Sequence, residues 1–198
     1  MLERILSGGW IMLPLMLCSI VSVTIIIERF LFFRRMNVRI SANQVLSLVE
    51  GRQFDEALNS MQNKEIGIMK VLRVGLNHQR HPGKAMETAG LAEISAMRRG
   101  LPALDTIITL SPLLGLLGTI VGMIGSFQIM ATSGLGQPHA VTGGVGEALI
   151  ATAAGITVAV ITLIPYNYFL ARIERETEII EQYATRLEYA LQDFMQEG

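Results

Sequence analysis

Glu147 is the one formally charged side chain in the 66 residues from Thr106 to Ala171. A carboxylate at the centre of a membrane helix costs about 3 kcal/mol on insertion scales, and such groups face a bundle interior or water. Two readings stand side by side. Glu147 is either an interfacial glutamate stabilised by the N-terminal dipole of its own helix, or a protonatable group at the mouth of an ion path. On the second reading Thr119 and Thr152 are polar waypoints, with Ser111 and Thr162 adding hydroxyls to the same faces. A lone threonine in a membrane helix is also commonly satisfied by its own backbone. No Asp, His, Lys or Arg lies between Glu147 and Arg172. A proton crossing there needs either Glu147 assisted by water or a central acid supplied by a partner helix.

Other chemistries find less support. Covalent or metal catalysis needs a nucleophile with its base, or a ligand set. The three histidines, His78, His81 and His139, lie outside the apolar segments. His78 and His81 have a metal-like spacing without further candidate ligands nearby, and read better as a solvated helix end. The single cysteine, Cys18, excludes an intramolecular disulfide and a Cys-based zinc site. No phosphate-binding glycine loop is present. The expectation is a protein that is not an enzyme and holds no cofactor, with protons as the coupling ion.

The elements that would carry these residues are membrane helices. Of the 198 residues, 51% are hydrophobic and 17% charged, against about 25% charged in a typical soluble protein. The mean hydropathy is +0.44. A bilayer core of roughly 30 Å takes about 20 apolar residues in a helix. The sequence divides into a short outer N-terminus (1–9), a first span (10–33), a helical cytoplasmic region (34–105), a second span (106–130), an outer loop (131–144), a third span (145–171) and a cytoplasmic helical tail (172–198). Arg29, Arg34, Arg35 and Arg39 follow the first span. Arg98 and Arg99 precede the second, and Arg172 and Arg175 follow the third. The positive-inside rule puts these on the cytoplasmic side, with Trp10 at the outer interface. The first apolar stretch is long for a signal peptide and no small-x-small cleavage site closes it, so it reads as a retained span.

In the cytoplasmic region, Ser41 and Gln44 resemble a capping box and Gly51 a stop. Asp55–Gln62 and Ile66–Gln79 read as two further helices. Pro82-Gly83 breaks the chain, and from Lys84 a helical pattern runs through Pro102 into the second span. In the tail, Ile173, Ile180, Leu187 and Phe194 recur every seven residues. That stripe packs on other helices, either as a coiled coil between subunits or against the chain's own cytoplasmic helices. The third helix should run unbroken from membrane to cytoplasm.

Helical phase sorts the two later spans. On the second, Ser111, Gly115, Gly118, Thr119, Gly122, Gly125 and Ser126 fall within an arc of about 120°. On the third, Glu147, Ala148, Ala151, Thr152, Ala154, Gly155, Ala159 and Thr162 share about 160°. Glycine stripes let helix backbones approach closely in lipid, so Gly115, Gly118, Gly122, Gly125 and Gly155 are expected at helix contacts. The opposite arc of the third span (Leu149, Ile150, Ile156, Val160, Ile161, Leu163, Ile164) should face lipid or the first span. Pro112 removes an amide donor and should bend or loosen the second helix.

These two segments carry a resemblance. Ser111-Pro112-Leu113-Leu114-Gly115-Leu116-Leu117-Gly118-Thr119-Ile120-Val121-Gly122-Met123 resembles the second membrane helix of the ExbB/TolQ/MotA proton-channel family. Gly146-Glu147-Ala148-Leu149-Ile150-Ala151-Thr152-Ala153-Ala154-Gly155 resembles the third, and Tyr166-Asn167 is similar near its inner end. The likeness is closer to ExbB and TolQ than to MotA. It implies an all-α membrane protein assembling as a ring, pentameric in the family, around the single membrane helices of an ExbD- or TolR-like partner. That partner's membrane aspartate would supply the missing central acid. The second and third spans would line the central space, with the first outside. Thr119, Glu147 and Thr152 match the family's polar pore residues. The resemblance further implies proton-driven movement of the partner in the bacterial inner membrane. Force would pass, directly or through a TonB- or TolA-like protein, to outer-membrane transport or envelope maintenance. A passive membrane scaffold, held together by its glycine faces, is the competing function. A nucleic-acid partner is not expected.

Overall fold

The computed structural model describes residues 9–36, 39–61, 67–78, 81–133 and 138–196. Among them are seven helices and no strand: α1 (Met12–Arg35), α2 (Arg39–Glu50), α3 (Phe54–Ser60), α4 (Ile68–Asn77), α5 (Pro82–Arg98), α6 (Leu101–Ser133) and α7 (Pro138–Gln196). Three helices are long and apolar enough to cross a membrane. They supply α1 and the apolar parts of α6 and α7. The chain is a multi-pass, all-helical membrane protein. Two units are distinct: residues 9–29 with 100–168, and 30–99 with 169–196.

The first unit holds the spans. α6 and α7 run through Pro112 and Pro165 without interruption, so neither missing amide ends its helix. The pattern expected to continue from Lys84 into the second span does stop, at Arg99-Gly100. Gly100 takes φ 80°, a left-handed conformation that costs glycine no Cβ clash. A Cβ there would come within 2.9 Å of Ile25 in α1. Periodicity could not show this break, because the apolar pattern is continuous across it. The expected outer loop is also shorter than its 14 residues, since α6 reaches Ser133 and α7 begins at Pro138.

The second unit packs large side chains. Leu46, Met61, Met69, Leu72, Met86 and Met97 are fully buried with Phe169, Ile173 and Leu187 of α7. Phe33 of α1 stacks on Phe169, ring centroids 5.6 Å apart. Of the two partners open to the tail stripe, the chain's own helices hold it. A Cβ at Gly90 of α5 would meet Ile180 at 3.3 Å, and one at Gly75 of α4 would meet Leu187 at 3.2 Å. The Phe194 side chain lies outside the described residues, as do Gln62, Ile66 and Gln79. Glu93 of α5 is buried. It accepts bonds from Lys70 Nζ at 2.7 Å and from the Gly67 amide at 3.0 Å, just ahead of α4.

Ser41 is not a cap. α2 begins two residues earlier, which places Ser41 inside the helix. At the other end Gly51 is followed by Arg52 at φ 61°. The Arg52 amide bonds to Val49 O at 3.0 Å and the Gln53 amide to Leu48 O at 2.9 Å. That is the double bond pattern of a Schellman terminus, with arginine in the left-handed position and glycine one place before it.

Candidate ion path

The seam between α6 and α7 is built from residues without bulk. A Cβ on Gly115 would lie 2.9 Å from Thr152 Cα, one on Gly118 2.6 Å from Ala151 Cβ, and one on Gly122 2.8 Å from Ala148 Cβ. Gly155 meets the Ser111 carbonyl and the Gly115 backbone. Four of the five expected packing glycines thus sit at backbone-to-backbone contacts within one chain. The fifth, Gly125, has open space where its Cβ would be.

α1 covers one side of this seam. Ile11, Met12 and Leu15 form a buried cluster with Ala151, and Leu114 and Ala154 pack against it. This corrects the expectation that the bulky arc of α7 would meet the first span. Leu149, Ile156, Val160, Ile161, Leu163 and Ile164 are exposed instead. α1 packs on the small-residue face because only small residues leave room for a third helix there.

The five polar residues fall into three settings. Thr119 and Thr152 are half-buried on the edge of the seam turned away from α1. At 100° per residue, Thr119 lies roughly 140° around α6 from Leu114. Thr152 Oγ1 crosses the seam and donates to Gly115 O at 2.9 Å. Thr119 Oγ1 donates to Leu116 O of its own helix at 2.7 Å. Ser111 sits in the middle, fully buried, its Oγ without a hydrogen-bond partner among the described residues.

Glu147 and Thr162 lie toward α1. Thr162 is buried and donates to Val158 O at 2.7 Å. Its oxygen pairs at 2.7 Å with Ser22 Oγ of α1, which is therefore the donor. Sequence reasoning passed over Ser22. Its signal was a hydroxyl in an otherwise apolar span, where hydrogen bonding between helices is a common attachment. Glu147 precedes Ala154 by one heptad, about 20° away around the helix, and lies roughly 140° from Thr152. It is half-buried. A Cβ on Gly9, ahead of α1, would be 3.5 Å from its Oε1. At the inner end Tyr166 interacts with Asp105.

The histidines take no part in this arrangement. His78 Nδ1 is 3.0 Å from Val74 O, and His81 precedes α5. The His139 side chain lies outside the described residues. No group of three or more metal-ligating side chains occurs among the described residues.

The comparisons agree with the seam. Residues 50–182 match the family described as the MotA/TolQ/ExbB proton channel family. The chain is similar to biopolymer transport protein ExbB-like 3 of Synechocystis sp., 32% identical over 96% of this chain and 94% of the relative. It is similar to a biopolymer transport protein ExbB homolog of Methanothermobacter thermautotrophicus, 32% identical over 100% of this chain and 73% of that protein. The Tol-Pal system protein TolQ of Pseudomonas aeruginosa is 28% identical over 86% of this chain and 83% of its own length.

Proposed function

Because the chain belongs to the MotA/TolQ/ExbB proton channel family, we propose that it is the channel subunit of an inner-membrane motor driven by the proton gradient. The subunits form a ring, pentameric as the resemblance implies, around the membrane helix of an ExbD- or TolR-like partner. The N-terminus and the turn between α6 and α7 face the periplasm. Residues 34–105 and 172–198 face the cytoplasm. The partner's aspartate supplies the titratable group that the spans lack between Glu147 and Arg172. Protons moving past it drive the partner, which acts on outer-membrane transport or envelope maintenance. No catalytic residue or cofactor takes part.

The observation that supports this reading is the pair Thr119 and Thr152. Both sit half-buried on the edge of the seam away from α1. That edge is the one the two spans can turn to a common lumen while α1 stays outside. Ser111 and Thr162 are enclosed, and act as packing and attachment points rather than lining.

The test is partner-dependent proton uptake into proteoliposomes. A Thr119→Val/Thr152→Val double variant should lose at least about tenfold in flux, as expected when a path loses its positioned polar groups. Full flux in that variant would overturn the assignment of the edge. The competing reading, a passive scaffold, draws on the same two bonds, since both hydroxyls are satisfied by backbone carbonyls. It requires that the parent protein support no flux.

A further inference from the structure

Glu147 is turned from the edge that carries Thr119 and Thr152, and its carboxylate comes to the start of α1 instead. Gly9 stands there at φ 73°. Its carbonyl accepts the Met12 amide at 3.1 Å, and Trp10 O accepts the Leu13 amide at 3.2 Å. Gly9 and Trp10 thus open the first turn of the helix. The leading amides of a helix have no intrahelical acceptor, and together they carry a partial positive charge. Glu147 Oε1 lies within 3.5 Å of the Cβ position on Gly9, so a side chain larger than glycine would press on the carboxylate. Directly beyond this point Ile11 and Leu15 are buried against Ala151, which is one turn from Glu147 on α7.

Two contacts therefore fasten the outer end of α1 to α7, one apolar and one electrostatic. We propose that Glu147 is a positioning residue: its carboxylate holds the N-terminal turn of α1 against α7 and does not relay the proton. In the channel reading above, α1 is the wall behind the hydroxyl edge. Glu147 keeps that wall in place, and the partner's acid alone titrates during transport. The inference rests on the channel reading only for the flux measurement below.

The experiment uses the full-length chain in nanodiscs of phosphatidylethanolamine and phosphatidylglycerol. Amide hydrogen exchange over residues 9–16 is compared in the parent, Glu147→Ala, Glu147→Gln and Thr152→Val. Trp10, the sole tryptophan, reports on the same turn by its emission. Protection in Glu147→Ala should fall about three- to tenfold, the range for a terminal turn that loses a charged contact. It should fall less in Glu147→Gln, which retains the acceptor oxygen, and stay at the parental level in Thr152→Val. With the membrane partner in proteoliposomes, Glu147→Gln should keep most of the parental flux.

Unchanged exchange in both Glu147 variants would overturn the proposal. So would a Glu147→Gln protein with parental exchange and no flux, since that is the signature of a proton carrier. Glu147→Gln decides the matter if the Ala variant fails to fold. Exchange also decides it if the parent itself shows no flux, a result that would count against the channel reading alone.

Discussion

The two units solve the same problem, holding long helices together, with opposite residue types. α7 belongs to both. In the first unit it offers Ala148, Ala151, Gly155 and Ala159 to its neighbours, and in the second Phe169, Ile173, Ile180 and Leu187. The difference follows the solvent. In water, burying a leucine removes apolar surface from contact with water and stabilises the packed state. In lipid the same burial exchanges one hydrocarbon neighbour for another. Association then depends on close backbone approach and on hydrogen bonds between helices. Hence Leu113, Phe127, Leu149 and Ile164 stay exposed in the first unit, while Met86 and Leu187 of the second are inserted against Gly75.

This contrast can be broken at chosen points. The largest effect is expected from Gly155→Leu. Even a Cβ there meets the Ser111 carbonyl and the Gly115 backbone, and backbone cannot yield as a side-chain end can. The helices must part, at more than about 3 kcal/mol, and the variant should yield no assembled protein in detergent size-exclusion runs. Gly125→Ala, with open space at that position, should behave as the parent. Normal assembly of Gly155→Leu would mean that the seam is wrongly placed.

In the second unit the opposite change does the damage. Leu187→Ala opens a cavity at a fully buried site and should cost about 3 kcal/mol. The matched truncation on the lipid side, Leu149→Ala, should change the thermal midpoint little, because Leu149 is 62% exposed. Equal losses at the two sites would remove the distinction between the units. Glu93→Ala takes the acceptor from the Gly67 amide and from Lys70. Its cost should be about 2 kcal/mol, read from denaturant unfolding of the cytoplasmic signal. Smallest is Ser22→Ala, which deletes one hydroxyl pair with Thr162. In a bilayer such a bond contributes roughly 0.6 kcal/mol, so the thermal midpoint should fall by only a degree or two for a chain of this size. A larger fall would show that the hydroxyl pair, and not the apolar cluster at Ile11 and Leu15, governs the docking of α1.

Much of this was legible in the residues themselves. Scarcity of charge marked the spans, and helical phase placed Gly115, Gly118, Gly122 and Gly155 on contact faces. The stripe Ile173, Ile180, Leu187 showed that the tail must pack. Phase could not say against what, because a seven-residue stripe is the same whether its partner is another subunit or the chain itself. For Glu147 the arc was right and its meaning was open. A 160° arc has two edges, and only the position of α1 tells them apart. Ser41 misled because a serine three residues before a glutamine also occurs inside helices. The break at Gly100 left no mark in the hydropathy, since the residues on both sides suit a helix.

The hydroxyls of Thr119 and Thr152 have a consequence for which ions they can tolerate. Each has one proton, and each commits it to a backbone carbonyl. What remains on the outward side of both oxygens is lone-pair density with no donor beside it. An anion passing that edge finds nothing to bind, while water and hydronium find acceptors already oriented. The valve is thus polarised by its own backbone: it is permissive to proton donors and indifferent to anions, without a charged side chain having to impose the sign.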